Sequence, residues 1–118
     1  MADLTQEYTP DQLWAGPARK PGNTMTVTVA QGEKITRGTL VTMDASTKTV
    51  KAVTAKTQAV FGVACEDVDA STKATGTVVY IEGEFNAKYI KLGTVSDSST
   101  VADYVVSARN VGIILRNL

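Results

Sequence analysis

The sequence feature that most constrains the fold is an apolar run over residues 59–65, Ala-Val-Phe-Gly-Val-Ala-Cys, followed directly by the acidic segment 66–69. Its length and its β-branched and aromatic residues are typical of a strand that is buried on both faces. Gly62, in the middle, has no side chain and so permits a close backbone approach or a bulge. The acidic residues draw the chain into water and end the strand. We therefore expect the other elements to pack around this run.

Strand patterns occur on both sides of the central run. Met25, Val27 and Val29 alternate with threonines, as expected of a half-buried strand. A polar loop over residues 44–47 separates two further strand patterns and predicts a hairpin. The predicted strands and extended pieces, apart from the central run, cover residues 25–29, 34–36, 39–43, 48–53, 76–81, 85–90 and 113–115.

One helix is predicted near the carboxyl end, starting at Thr100. Thr100 and Asp103 have the spacing of a capping box. Asn110 or Gly112 is expected to supply the left-handed residue that ends the helix. A single apolar stripe at helical spacing consists of Val101, Tyr104, Val105 and Ala108.

These patterns predict a mainly β protein with one or two short helices (α+β), folded as a small, compact β-barrel or sandwich-like domain. The 118 residues suffice for one domain, over residues 25–118, preceded by an extended N-terminal arm over residues 1–24. Such a thin core is often supplemented by oligomerisation. The predicted core residues are Val27, Val29, Leu40, Val60, Phe61, Val63, Val78, Tyr80, Val101, Val105, Ile113 and Leu115.

The arm differs from the rest of the chain in composition. It holds all three prolines and the only tryptophan, and it has no period of 2 or 3.6. Disordered tails usually lack aromatic residues, so Tyr8 and Trp14 require a partner surface. They either fold back on the domain or bind another molecule.

The sequence lacks the residues that most catalytic and metal sites need. There is no histidine, which excludes Ser-His-Asp and Cys-His catalysis and removes the commonest zinc ligand. Cys65 is the only cysteine, so an intrachain disulfide is excluded, and its acidic neighbours are expected to raise the pKa of the thiol. Neither a phosphate loop nor a dinucleotide-binding glycine pattern is present. We expect no enzymatic activity, no cofactor, no metal and no small-molecule substrate.

The remaining acidic residues allow two weaker readings. Glu66, Asp67 and Asp69 offer oxygen ligands for calcium, but their spacing is not that of an EF-hand, and a solvated loop is preferred. Glu82 and Glu84 share a face of an extended chain, yet a catalytic pair needs a cleft between the carboxylates. With twelve acids and twelve bases the net charge is zero, so no nucleic-acid or membrane partner is expected. No signal peptide or membrane-spanning run is recognised, so we expect synthesis as a soluble intracellular product.

The order of segments resembles the lambda-type head decoration, or capsid cement, proteins of tailed bacteriophages. The likeness rests on three blocks in sequence, covers about residues 25–118 and does not extend to the arm. The first block consists of residues 31–41, a turn, and then the central run with the acidic segment that follows it. The second is Thr77-Val-Val-Tyr-Ile-Glu-Gly-Glu-Phe-Asn, and the third is the helix leading to Val111-Gly-Ile-Ile-Leu.

This resemblance implies a homotrimer at three-fold positions on the outside of the expanded head, where it would bind the major capsid protein and stabilise the virion. It also implies an arm that orders on the shell. The arm residues expected to contact the capsid are Leu4, Tyr8, Pro10, Leu13, Trp14 and Pro17. A monomeric β-barrel module for carbohydrate or host recognition, another phage head or tail component, and a small enzyme remain as alternatives.

Overall fold

The computed structural model describes residues 23–116. Within this range the chain forms nine strands, two 3-10 helices and one short α-helix. The strands are β1 (Thr24–Val29), β2 (Lys34–Ile35), β3 (Leu40–Asp44), β4 (Thr49–Ala52), β5 (Gly62–Ala64), β6 (Val68–Asp69), β7 (Thr75–Tyr80), β8 (Gly83–Asn86) and β9 (Ile113–Arg116). The first 3-10 helix is Ala87–Tyr89, and the second, Val101–Tyr104, leads directly into α1 (Val105–Arg109).

Five strands close into a barrel in the order β1-β4-β3-β5-β7. The predicted hairpin is present as the antiparallel pair β3 and β4, which runs from Val41 opposite Ala52 to Asp44 opposite Thr49. The barrel closes through a long antiparallel pairing of β1 with β7 and a short parallel pairing of β1 with β4. Two ribbons lie outside the barrel, the antiparallel pair β2 and β6 and the parallel pair β8 and β9. The prediction of a small, mainly β domain is confirmed.

The core consists of two apolar clusters, and the central strands contribute to both. Leu40 and Val63 belong to the cluster that packs against the second 3-10 helix, α1 and the outer ribbon. Their chain neighbours Val41 and Ala64 belong to the cluster inside the barrel. Because successive side chains of a strand point to opposite faces, β3 and β5 are buried on both faces. This double burial was predicted for the central run.

Gly62 is required where β5 crosses β7. A Cβ atom at this position would lie 2.5 Å from the carbonyl oxygen of Tyr80, well inside the closest normal approach. Val63 pairs with Tyr80 in the next register position. The prediction of a close backbone approach at Gly62 is confirmed.

Several predicted elements differ in extent from those observed. The central strand covers only Gly62–Ala64, and residues 59–61 before it lie outside any strand, although the N–H of Phe61 still donates to the carbonyl of Val41 on β3. The extended piece predicted over residues 85–90 ends at Asn86, whose side chain accepts the N–H of Lys88 and caps the first 3-10 helix. The acidic segment was predicted to be a loop, yet β6 lies within it. The predicted helix consists of a four-residue 3-10 helix followed by five α-helical residues.

Seven of the twelve predicted core residues are buried: Val27, Val29, Leu40, Val60, Val63, Ile113 and Leu115. Four others are only half-buried, namely Phe61, Val78, Tyr80 and Val101. Val105 was predicted to be in the core and is 38% exposed. The 3-10 helix before it changes the angle between successive side chains, so Tyr104 and Ala108 face the core and Val105 does not. On β7, Val79 fills the barrel in place of Val78, which lies on the opposite face.

Candidate functional site

Asn23, the first described residue, is bonded to the segment that follows β7. The carbonyl of Asn23 accepts the N–H of Ile81 at 2.8 Å, and its side-chain amide donates to the carboxylate of Glu82. The first strand then begins at Thr24, opposite Tyr80. Two hydrogen bonds to successive residues therefore fix the position of the chain just before β1.

The turn before β9 lies against the same two residues that Asn23 bonds. The N–H of Gly83 donates to the carbonyl of Gly112 at 3.0 Å, and a Cβ atom on Gly112 would lie 3.8 Å from the carbonyl oxygen of Ile81. Asn23 and Gly112 therefore both contact the segment 81–82, and β9 pairs with β8 from Gly83 onward.

The chain on either side of Gly112 exposes apolar side chains. Gly112, with φ 88°, supplies the left-handed residue predicted at the end of the helix. Val111 and Ile114, on either side of it, are each 41% exposed. Ile114 lies opposite Glu84 in the parallel ribbon, and Glu84 forms an ion pair with Arg116 at 3.0 Å. We call the exposed pair Val111 and Ile114 the arm-root corner.

The predicted contact residues of the arm lie outside the described residues. They are Leu4, Tyr8, Pro10, Leu13, Trp14 and Pro17. Their part in binding remains a prediction, as does the division of the chain into an arm over residues 1–24 and a domain over residues 25–118.

The acidic segment after β5 is built into the fold. Glu66 accepts the hydroxyl of the buried Thr77 at 2.8 Å, and Asp67 accepts the backbone N–H of Arg37 at 2.8 Å. Asp69 accepts both the N–H and the hydroxyl of Ser71, and these bonds lower the pKa of its carboxyl. The carboxylates are therefore used separately, and no group of three potential metal ligands occurs within residues 23–116.

The other candidate chemical groups are also engaged or remote from one another. Glu82 accepts from Asn23, and Glu84 pairs with Arg116, so the two carboxylates do not face a shared cleft. The pKa of the Cys65 thiol is raised, chiefly by burial and to a smaller extent by Glu66. Burial is thus the larger cause, whereas the sequence had suggested the acidic neighbours.

The loops on the side of the barrel that carries Lys56 and Asp97 are joined through one carboxylate. Asp97 accepts the backbone N–H of Lys56 at 2.9 Å and the N–H of Ser99 at 3.1 Å. Hydrogen bonds from Ser99 and from the Lys56 N–H lower the pKa of Asp97 to about 2. Nearby, an open groove of about 480 Å³ contains Glu33, whose carboxylate already accepts the N–H of Ala52.

The described aromatic residues differ in exposure. Phe85 and Tyr104 are fully buried, and the ring of Phe85 lies 5.6 Å from the half-buried ring of Tyr80. Tyr89 is 40% exposed. No helix within residues 23–116 has both the length and the apolar content needed to span a membrane.

Comparison with known proteins gave one family match. A family model described as bacteriophage lambda head decoration protein D matches residues 4–113. The match covers most of the chain and confirms the resemblance seen in the sequence, and it begins at residue 4 rather than near residue 25. No curated protein matches the chain at a significant level.

Proposed function

Because the chain belongs to the family of bacteriophage lambda head decoration protein D, a structural component of phage heads, we propose that it binds the exterior of the expanded head at three-fold positions and stabilises the shell. The observation that carries this proposal is the family match over residues 4–113, which includes most of the arm as well as the barrel. The partner is the major capsid protein of a tailed phage.

The arm supplies the main contact in this proposal. Its sequence combines fixed-φ prolines with Tyr8, Leu13 and Trp14, which suits an extended segment that adds main-chain hydrogen bonds to a neighbouring sheet and fills pockets with alternate side chains. Burying one tryptophan removes about 200 Å² of surface, which is worth on the order of 5 kcal/mol before the cost of ordering the arm.

Stabilisation follows from mass action. A protein that binds the assembled, expanded shell and not the separate subunits stabilises the assembly by RT ln(1 + [L]/Kd) at each site, about 2.7 kcal/mol when its free concentration is 100 times Kd. A homotrimer carries three arms, so after one arm binds the other two act at a high effective concentration. No chemical step is involved, and the chain acts as a structural protein rather than as an enzyme.

The site of action is the outer surface of the virion head, after synthesis in the host cytoplasm. Neither nucleic acid, membrane nor a small-molecule substrate takes part. The balanced charge of the sequence supports this, since twelve acids and twelve bases give no long-range attraction to a polyanion.

Titration of the purified protein onto heads that lack it tests the proposal. Expanded and unexpanded heads of the parent phage are mixed with increasing protein, sedimented and assayed for bound protein and for thermal disruption. We expect saturable binding to expanded heads only, three copies per three-fold position, and a higher disruption temperature. Equal binding to both head forms, or binding without stabilisation, would contradict the proposal. Light scattering of the free protein reports whether the trimer, about three times 12.5 kDa, precedes binding.

A further inference from the structure

We propose that the outward face of the helical segment 101–109 is a self-complementary contact, at which two copies of this chain meet across a two-fold axis through Val106. The segment consists of the second 3-10 helix, Val101–Tyr104, and α1, Val105–Arg109. The occupant of this face is the same face of a second copy. Such a contact differs from those within a homotrimer, which a three-fold axis relates and which join two different patches.

Val106 is exposed where the fold needs no apolar side chain. Among the large apolar side chains of residues 23–116 it has the highest exposed fraction, 73%. Tyr104 and Ala108 hold the opposite face of the segment in the core. Valine is also a weaker helix former than alanine, because its branched side chain loses rotamer freedom in a helix. The residue thus departs from the local rules for a solvated helix, and such departures are expected at functional positions.

Opposite charges lie on the two sides of Val106. Asp103 is three residues before it and Arg109 three residues after it, and all three side chains are exposed. Residues three apart are neighbours on a helical surface, so the two charges flank the valine at opposite ends of the face. Asp103 is held in place, because Oδ2 of its carboxylate accepts the N–H of Thr100 at 2.8 Å. The face therefore has an apolar centre, one negative end and one positive end.

This arrangement is complementary to itself. When two copies meet with Val106 against Val106, a two-fold axis in the plane of the contact places Asp103 of each copy opposite Arg109 of the other. Both charge pairs then form at once, which is the reciprocal pattern of an isologous interface. An apolar centre with a polar rim is also the usual anatomy of an interface between proteins. A nucleic acid or an anionic membrane would match only the positive end of the face.

The size of the face indicates a weak contact. The segment has four 3-10 and five α-helical residues, so two such faces bury much less than the roughly 1,200–2,000 Å² of a stable interface. We therefore expect free copies to associate through it only at high concentration. Where copies are held side by side, as the proposed function places them on a phage head, the contact forms at high effective concentration and joins neighbouring copies laterally.

Disulfide cross-linking of Val106→Cys tests the contact, because a two-fold axis through position 106 brings the two new thiols together. The full-length variant is oxidised at increasing protein concentration, and the cross-linked dimer is measured on a denaturing gel. The unsubstituted protein corrects for Cys65, the only cysteine of the sequence. Tyr89→Cys corrects for random collisions, since Tyr89 is 40% exposed and lies outside the segment.

Two further substitutions, each added to Val106→Cys, test the charge pairing. Arg109→Glu places a carboxylate opposite Asp103 of the other copy, whereas Arg109→Lys keeps the attraction. Melting temperatures confirm that each variant is folded. Val106→Ala in the otherwise unchanged chain is measured by sedimentation equilibrium at high concentration. It removes the apolar centre but suits a helix better, so association should weaken without a loss of melting temperature.

We expect Val106→Cys to give at least about tenfold more dimer than Tyr89→Cys, Arg109→Glu to lower that yield at least about fivefold, and Arg109→Lys to stay within about twofold of it. A yield no higher than that of Tyr89→Cys, or equal yields from the two Arg109 variants, would overturn the inference, as would unchanged association of Val106→Ala. None of these measurements uses phage heads, so their failure leaves the proposed function standing.

Discussion

Replacing Gly62 by alanine tests the packing that organises the barrel. The new Cβ atom would lie 2.5 Å from the Tyr80 carbonyl oxygen and 3.4 Å from a methyl group of Val79. The first of these atoms belongs to the backbone of β7, which is held between β1 and β5. The clash is therefore relieved only by moving β5 away from β7.

The expected loss of stability follows from two opposing terms. Forcing an extra methyl group into a packed site costs roughly 1–3 kcal/mol, and the upper half applies here because a backbone atom is in the way. Alanine also has fewer accessible backbone conformations than glycine in the unfolded chain, which stabilises the folded state by about 0.4–1 kcal/mol. We expect Gly62→Ala to lower the free energy of unfolding by about 2 kcal/mol, or the melting temperature by roughly 6–10 °C.

Gly76→Ala is a matched control on the neighbouring strand. Its Cβ atom would meet nothing closer than 4.0 Å, and its backbone is not in the left-handed region. Urea unfolding of both variants gives the comparison, with Gly76→Ala expected within about 0.5 kcal/mol of the original protein. Equal stability of the two variants would refute the close approach of β5 to β7.

Three further predictions concern other parts of the chain. The pKa of Asp97 is about 2 in the folded protein, against an ordinary 3.8, so its contribution to folding stability is present above pH 4 and is lost as the pH falls towards 2. The melting temperatures of Asp97→Asn and the original protein should therefore converge over that range, and a constant difference would show that the charged carboxylate is not the cause. Ser99→Ala removes the hydrogen-bond partner, 2.5 Å away, of the fully buried Tyr104 hydroxyl and should lower the free energy of unfolding in urea by about 1–3 kcal/mol. Adding Tyr104→Phe to the same chain should restore part of that free energy, and no recovery would contradict the pairing. Trp14→Ala should weaken binding to expanded heads at least about tenfold while the melting temperature of the free protein stays unchanged, and the opposite pattern would indicate that the arm folds back on the barrel.

Much of the strand pattern could be predicted from residue alternation and turn chemistry. β1, the β3–β4 hairpin, β7 and β9 all lie where the sequence indicated them, within about one residue at each end. Their signals are local, because each strand carries its own apolar spacing and its own polar ends. Gly62 was also interpretable, since a glycine within an apolar strand indicates close backbone contact.

Properties that depend on distant partners could not be predicted. Val78 and Val79 are equally apolar, so a period of two cannot say which faces the barrel, and the pairing with β1 and β5 decides in favour of Val79. β6 exists only because the Val68–Asp69 segment pairs with β2, which outweighs its acidic composition. Val105 fits a helical stripe, yet the 3-10 turn before it changes the angle between successive side chains.

The arm-root corner was the least accessible feature of the candidate site. Ile114 belongs to the apolar run 113–115 that predicts a buried strand, and nothing local distinguishes it from its buried neighbours. Gly112 lies against Ile81 and Glu82, the residues that Asn23 bonds, and this grouping of residues far apart in sequence follows only from the fold. The composition of the arm, with prolines and aromatic residues but no core of its own, predicts a segment that either folds back on the domain or binds another molecule, and this stays a prediction.

The most direct measurement is the binding of a variant that lacks residues 2–22 to expanded heads, compared with the full-length protein at the same concentration. This deletion keeps Asn23 and the whole of β1, so the barrel and its melting temperature should be unchanged. The proposed function predicts that the truncated protein stays folded, and stays a trimer if the full chain is one, but loses at least about a hundredfold in affinity and no longer protects the heads from heat. A folded, truncated protein that binds and stabilises the heads as well as the full chain would contradict the central claim that the arm makes the main contact with the capsid.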